Sequence, residues 1–115
     1  MRNGLIVDED GPKTWYQNNL LHREDGPAVE WTDGTKAWYQ NNQLHRTDGP
    51  AVEYADGKKV WYQNGRLHRI DGPAVEHPDG TKVWYFNGEQ LSLNLWFEQV
   101  DATEARKTLM RLQYA

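Results

Sequence analysis

The sequence predicts a mainly β protein, a single elongated array of short β-hairpins with a short C-terminal helical cap. Three observations carry that expectation. The stretch 15–83 is one 23-residue unit written three times, at 15–37, 38–60 and 61–83, and 16 of the 23 positions are identical in every copy. A self-similar period of this size marks an array in which each unit buries its face against its neighbours. Within a unit the apolar residues alternate with period two, as in Val60-Trp61-Tyr62-Gln63. Asp-Gly and Asn-Gly or Asn-Asn pairs, strong hairpin-turn signals, punctuate each copy.

In each unit the segment Ala-Val-Glu lies before an Asp-Gly pair and Lys-x-Trp-Tyr-Gln after it, as at Ala51-Val52-Glu53 and Lys59-Val60-Trp61. Two short strands joined at Asp-Gly follow, with both turn residues expected at positive φ, and Asn-Gly or Asn-Asn leading into a loop. The Asp-Gly-Pro of that loop, as at Asp71-Gly72-Pro73, cannot sit in a central strand, because proline donates no ladder hydrogen bond. Two strands at about 4.8 Å each advance the array by roughly 10 Å per unit.

The register runs past the full copies. Leu5-Ile6-Val7 and Asp10-Gly11 fall one period before Ala28-Val29-Glu30 and Asp33-Gly34. Trp84-Tyr85-Phe86-Asn87-Gly88 opens a fourth unit that then departs, with Leu91 at the His position and Asn94-Leu95-Trp96 at the Asp-Gly-Pro positions. The expected division is a hairpin array over 1–90 and a helical cap over 91–115, covering the exposed end of the array. Ser92 is placed to N-cap a first helix through Gln99, and Asp101 with Glu104 has capping-box form for a second. Ala105, Leu109 and Leu112 form that second helix's expected buried stripe.

Composition narrows the function classes. The 115 residues include six Trp, six Tyr and no Cys, and carry a formal charge of −4. Without Cys there is no disulfide and no thiolate metal site. The acidic balance opposes binding through nucleic-acid phosphates. Nothing approaches about 18 consecutive apolar residues, and the N-terminus lacks the apolar run of a signal peptide, so a soluble cytoplasmic chain is expected.

The candidate site residues are aromatic. In Trp15-Tyr16, Trp38-Tyr39, Trp61-Tyr62 and Trp84-Tyr85 adjacent strand residues point to opposite faces, so each series makes a row along the sheet. One row is expected in the core, and the other is either covered by loops or exposed, where Trp and Tyr favour partner docking. Trp31, Tyr54 and His77 share one varying position on the constant frame, which suits a specific binding face or simply a tolerant exterior. The candidate partner-binding residues are therefore Trp31, Tyr54, His77, Trp38, Trp61 and Trp84.

The series His22/Arg23/Asp25, His45/Arg46/Asp48 and His68/Arg69/Asp71 offers metal-ligand types, but two ligands per unit are too few for a closed site. Its expected task is local: Asp caps backbone N–H groups of the Asp-Gly-Pro turn, while His and Arg bond carbonyls or carboxylates. Glu30, Glu53 and Glu76 are expected to pair across the turn with Lys36, Lys59 and Lys82. No catalytic motif, metal site or cofactor site is expected.

An aromatic residue, Asn-Gly, His three residues after the Gly, then Asp-Gly resembles the MORN repeat, best in Asn64-Gly65-Arg66-Leu67-His68 and Asp79-Gly80. The likeness covers about residues 5–90, and it departs where Arg23, Arg46 or Arg69 stands in place of the family's Gly after the His. The His-Arg-x-Asp-Gly-Pro-Ala-Val-Glu form is similar to divergent units of tailed phages and giant viruses. The resemblance implies a strip of hairpins used as a scaffold or binding surface, and it implies no enzyme activity. It makes a phage inhibitor of a bacterial defence complex, such as an anti-CRISPR in the host cytoplasm, the specific expectation. Single-stranded nucleic acid or carbohydrate bound on the aromatic rows, and a structural phage component, are the alternatives. Open hairpin edges also permit a homodimer.

Overall fold

The computed structural model describes residues 3–7, 9–100 and 103–114. Strands β1 (Gly4–Val7) and β2 (Lys13–Gln17) form the first hairpin, and β3 (Leu20–Leu21) folds back on β2. The next two units repeat one plan: β4 (Val29–Glu30), β5 (Lys36–Ala37), β6 (Tyr39–Gln40) and β7 (Gln43–Leu44), then β8 (Val52–Glu53), β9 (Lys59–Val60), β10 (Tyr62–Gln63) and β11 (Arg66–Leu67). Strands β12 (Val75–Glu76), β13 (Lys82–Phe86) and β14 (Glu89–Leu91) close the sheet. Helices α1 (Leu93–Val100) and α2 (Glu104–Tyr114) follow.

The main sheet runs β1-β2-β4-β5-β8-β9-β12-β13-β14 with antiparallel pairing throughout, and its repeated register sets Val52 opposite both Ala37 and Val60. The molecule measures 50 × 28 × 20 Å, as the stacking of units predicts.

Two turn types build each unit. At the Asn-Gly and Asn-Asn sites both residues have positive φ, for example Asn64 at 51° and Gly65 at 78°, and β6–β7 and β10–β11 are hairpins closed by these turns. These hairpins stand where a loop is expected from the sequence. Each inner unit therefore has a second, shorter hairpin beyond the one at Asp-Gly.

At the Asp-Gly sites the expectation of two positive-φ residues does not hold. Gly34, Gly57 and Gly80 have φ of 96°, 99° and 93°, but the aspartates before them do not share that conformation. The loop is one residue longer: Trp31 N–H donates to the Thr35 carbonyl, and Asp33 Oδ1 accepts the Thr35 N–H at 2.9 Å. That carboxylate bond fixes the turn with Asp in an ordinary conformation, leaving only Gly left-handed.

Trp38 and Trp61 fall between strands while their backbone N–H groups still bond the carbonyls of Ala51 and Ala74. Period-two alternation sorts the residues. Ala37, Val52, Val60 and Val75 form a buried row, flanked by Tyr39, Leu44, Tyr62 and Leu67. The alternating set, Lys36, Trp38, Glu53, Lys59 and Trp61, occupies the opposite face.

The cap has its own core. Trp84, Trp96, Phe97 and Met110 are buried together, the Trp84 and Trp96 rings 4.7 Å apart, and Trp96 Nε1 donates to the Arg69 carbonyl at 2.9 Å. Ser92 Oγ caps α1, which runs one residue past Gln99. Asp101 lies outside the described residues; Thr103 Oγ1 accepts the Arg106 N–H at the start of α2. The expected stripe on α2 is wrong: Leu109 and Leu112 are exposed, and Met110 is buried instead. A short amphipathic pattern with several apolar positions does not by itself determine which of them faces the core.

Candidate functional site

The Arg of every unit is held the same way. Arg46 lies with its guanidinium carbon 3.8 Å from the Trp38 ring centre, and the spacing is 3.9 Å for Arg23 on Trp15 and 3.8 Å for Arg69 on Trp61. Its Nε donates to Asp48, and one terminal nitrogen donates to the Pro50 carbonyl and to Glu53. In the first unit, Arg23 holds the Asp25 carboxyl below its usual range.

This corrects two expectations. Asp25, Asp48 and Asp71 accept from the Arg side chain, and Glu53 and Glu76 bond the Arg at 3.1 and 3.2 Å, ahead of the cross-turn lysine. Lys82 does approach Glu76, at 3.8 Å. A planar fork can serve a carboxylate, a carbonyl and a ring face together, which an ammonium cannot.

The glycine of Asp-Gly-Pro makes room for that Arg. A Cβ on Gly72 would sit 2.6 Å from the Arg69 guanidinium carbon, and one on Gly26 or Gly49 would sit 2.9 Å from Arg23 or Arg46. The constant His-Arg-x-Asp-Gly-Pro spacing is the sequence signal for this clamp, but the Trp it covers is eight residues upstream, so the spacing alone does not reveal the pair.

The histidines join units. His22, His45 and His68 each accept, at Nδ1, the backbone N–H of Asn41, Asn64 or Asn87 in the next unit, at 3.1, 3.0 and 2.9 Å. Carbonyls and carboxylates were the expected partners, and the first unit keeps one: His22 Nε2 meets Glu24 at 2.6 Å. Burial pushes the His68 pKa down.

Of the expected partner-binding residues, Trp84 is buried beneath α1 and presents no surface ring. Trp38 and Trp61 are half-buried under their Arg residues, and each faces a cleft between successive Asp-Gly-Pro loops. Trp31 and Tyr54 are exposed at 40% and 43%, and His77 is half-buried.

Trp31 and Tyr54 lie on the apolar face with Tyr39 and Leu44. These residues line an open cavity of about 380 Å³ whose floor is Ala37 and Val52. Tyr62 stands one repeat beyond Tyr39 on the same row, and burial raises its phenol pKa. Among the described residues, the Trp31 indole N–H and the Tyr39, Tyr54 and Tyr62 hydroxyls make no hydrogen bond within the protein. The groove can therefore offer apolar walls and free donors together.

Asp33 lines the groove too. Asp33, Asp56 and Asp79 occupy the equivalent turns of successive units, each accepting one backbone N–H, and those bonds hold Asp33 and Asp79 below the usual carboxylate range. Lys58 stands 5.4 Å from the Tyr54 ring. Among the described residues no group of three or more His, Asp or Glu side chains could hold a metal ion, and no helix is long and apolar enough to cross a membrane.

No protein-family model, curated protein or solved structure matches the chain.

Proposed function

We propose that the protein is a non-catalytic interaction module that binds a segment of another protein along its apolar groove. The observation that carries this reading is the open cavity between Trp31 and Tyr54. Exposed Trp and Tyr rings over an aliphatic floor form the type of surface on which binding hot spots concentrate. The groove is built from the position that varies between units, so each unit presents a different ring on an unchanging frame.

The opposite face is a weaker docking surface. Its Trp rings are already covered by Arg, and each Arg is committed to neighbouring carboxylates and a carbonyl. The likeness of the unit to divergent MORN repeats supports a scaffold role, and its phage-type form favours a bacterial defence complex as the partner. A second copy of this chain is the competing occupant of the free edges.

The test is affinity capture from a bacterial lysate with the wild type and with the double variant Trp31→Ala/Tyr54→Ala. Loss of the captured protein with an unchanged circular dichroism spectrum is expected. Capture that persists in the double variant would move the binding surface elsewhere.

A further inference from the structure

The groove has a period, and the period selects an occupant. Successive units are two strands apart, about 9.6 Å along the array. A polyproline II helix completes one turn in three residues at about 3.1 Å each, roughly 9.3 Å. An extended segment in this conformation, lying along the array, presents an equivalent side chain to each unit. An α-helix, at about 5.4 Å per turn, and a β-strand, with its two-residue repeat, keep no such step with the rings.

Resting on the groove as the binding site, we propose that it takes a proline-rich polyproline II segment with basic residues at its flank, one helical turn per repeat. Three features support this beyond the pitch. Polyproline II has no internal hydrogen bonds, so its carbonyls need donors, and the Trp31 indole N–H and the Tyr39, Tyr54 and Tyr62 hydroxyls are free to donate. Proline rings seat between aromatic side chains, and this groove sets Trp31 and Tyr54 across from Tyr39 over Ala37 and Val52. The Asp33 carboxylate lines it, Asp56 and Asp79 hold the equivalent turn positions of the next units, and these charges complement a basic flank.

The experiment uses fluorescein-labelled peptides on the full chain. One set is oligoproline with two arginines at one end, lengthened in steps of three residues, one turn each. The control set replaces proline by Gly-Ser at equal length and charge. Saturable binding of the proline set is expected, with affinity stepping up severalfold per added turn as further units are engaged. Tyr54→Ala should weaken binding about tenfold. Tyr54→Phe, which removes the hydroxyl alone, should weaken it less, and Asp33→Asn/Asp56→Asn should weaken arginine-bearing peptides more than unflanked ones.

No saturable binding, equal binding of the Gly-Ser set, or indifference to Tyr54→Ala would overturn the proposal. Proline peptides that fail while lysate capture still depends on Trp31 and Tyr54 would refute the polyproline occupant and leave the groove standing. Failure of both would remove the groove itself.

Discussion

His68 Nδ1 accepts the backbone N–H of Asn87 at 2.9 Å, so a histidine of the third unit holds the turn of the next. The equivalent bonds of His22 and His45 make a chain of couplings along the array, each needing an unprotonated Nδ1. Neighbouring units are therefore linked by side-chain acceptors in addition to the β-ladder.

A pH dependence follows from His68. Its folded pKa lies below 6.5 because burial disfavours the charged ring, so the unfolded chain binds the proton first as pH falls. The stability contribution is complete above 6.5 and is lost as pH drops through that value toward the folded pKa. Urea denaturation between about pH 8 and 5 should show declining stability, with a shallower decline in His68→Gln. Equal slopes for both proteins would remove His68 as the cause.

The Arg clamp should be costly to remove. Arg69 is mostly buried, stacks on Trp61 and bonds Asp71, the Pro73 carbonyl and Glu76. Arg69→Ala should destabilise by roughly 2–3 kcal/mol by denaturation midpoint, and Lys should recover little of it.

Two glycines should fail for different reasons. Gly57 has φ of 99°, and a Cβ there would meet only Pro78, at an ordinary 4.0 Å, so Gly57→Ala costs about 1 kcal/mol of backbone strain whatever Arg69 is. Gly72→Ala pushes directly on Arg69, so its cost should shrink in an Arg69→Ala background. A double-mutant cycle measures that difference.

The cap gives a further contrast. Met110→Ala should cost about 2–4 kcal/mol, since Met110 is buried beside Trp84, Trp96 and Phe97. Leu109→Glu and Leu112→Glu should stay within about 0.5 kcal/mol, as expected at exposed positions. Thermal melts of the three variants check the orientation of α2.

The array was legible because a period with alternating apolar residues and paired turn residues leaves few other ways to bury Val52, Val60 and Val75. Chemistry that joins residues distant in sequence was not. The Arg46–Trp38 stack spans eight positions, and the His45–Asn64 bond crosses a unit boundary. Alternation alone puts Trp38 and Tyr39 on opposite faces but does not show which of them Arg46 covers and which shares a face with Trp31 and Tyr54. Trp84 repeats the motif of its predecessors yet is buried, because the cap supplies Trp96 as its neighbour.

Hydroxyl-radical footprinting of the protein with and without its captured partner tests the binding face most directly. Protection concentrated on Trp31 and Tyr54, with Trp15, Trp38 and Trp61 unchanged, is the expected result. Protection of Trp38 and Trp61 with Trp31 and Tyr54 still reactive would contradict it and assign binding to the Arg face.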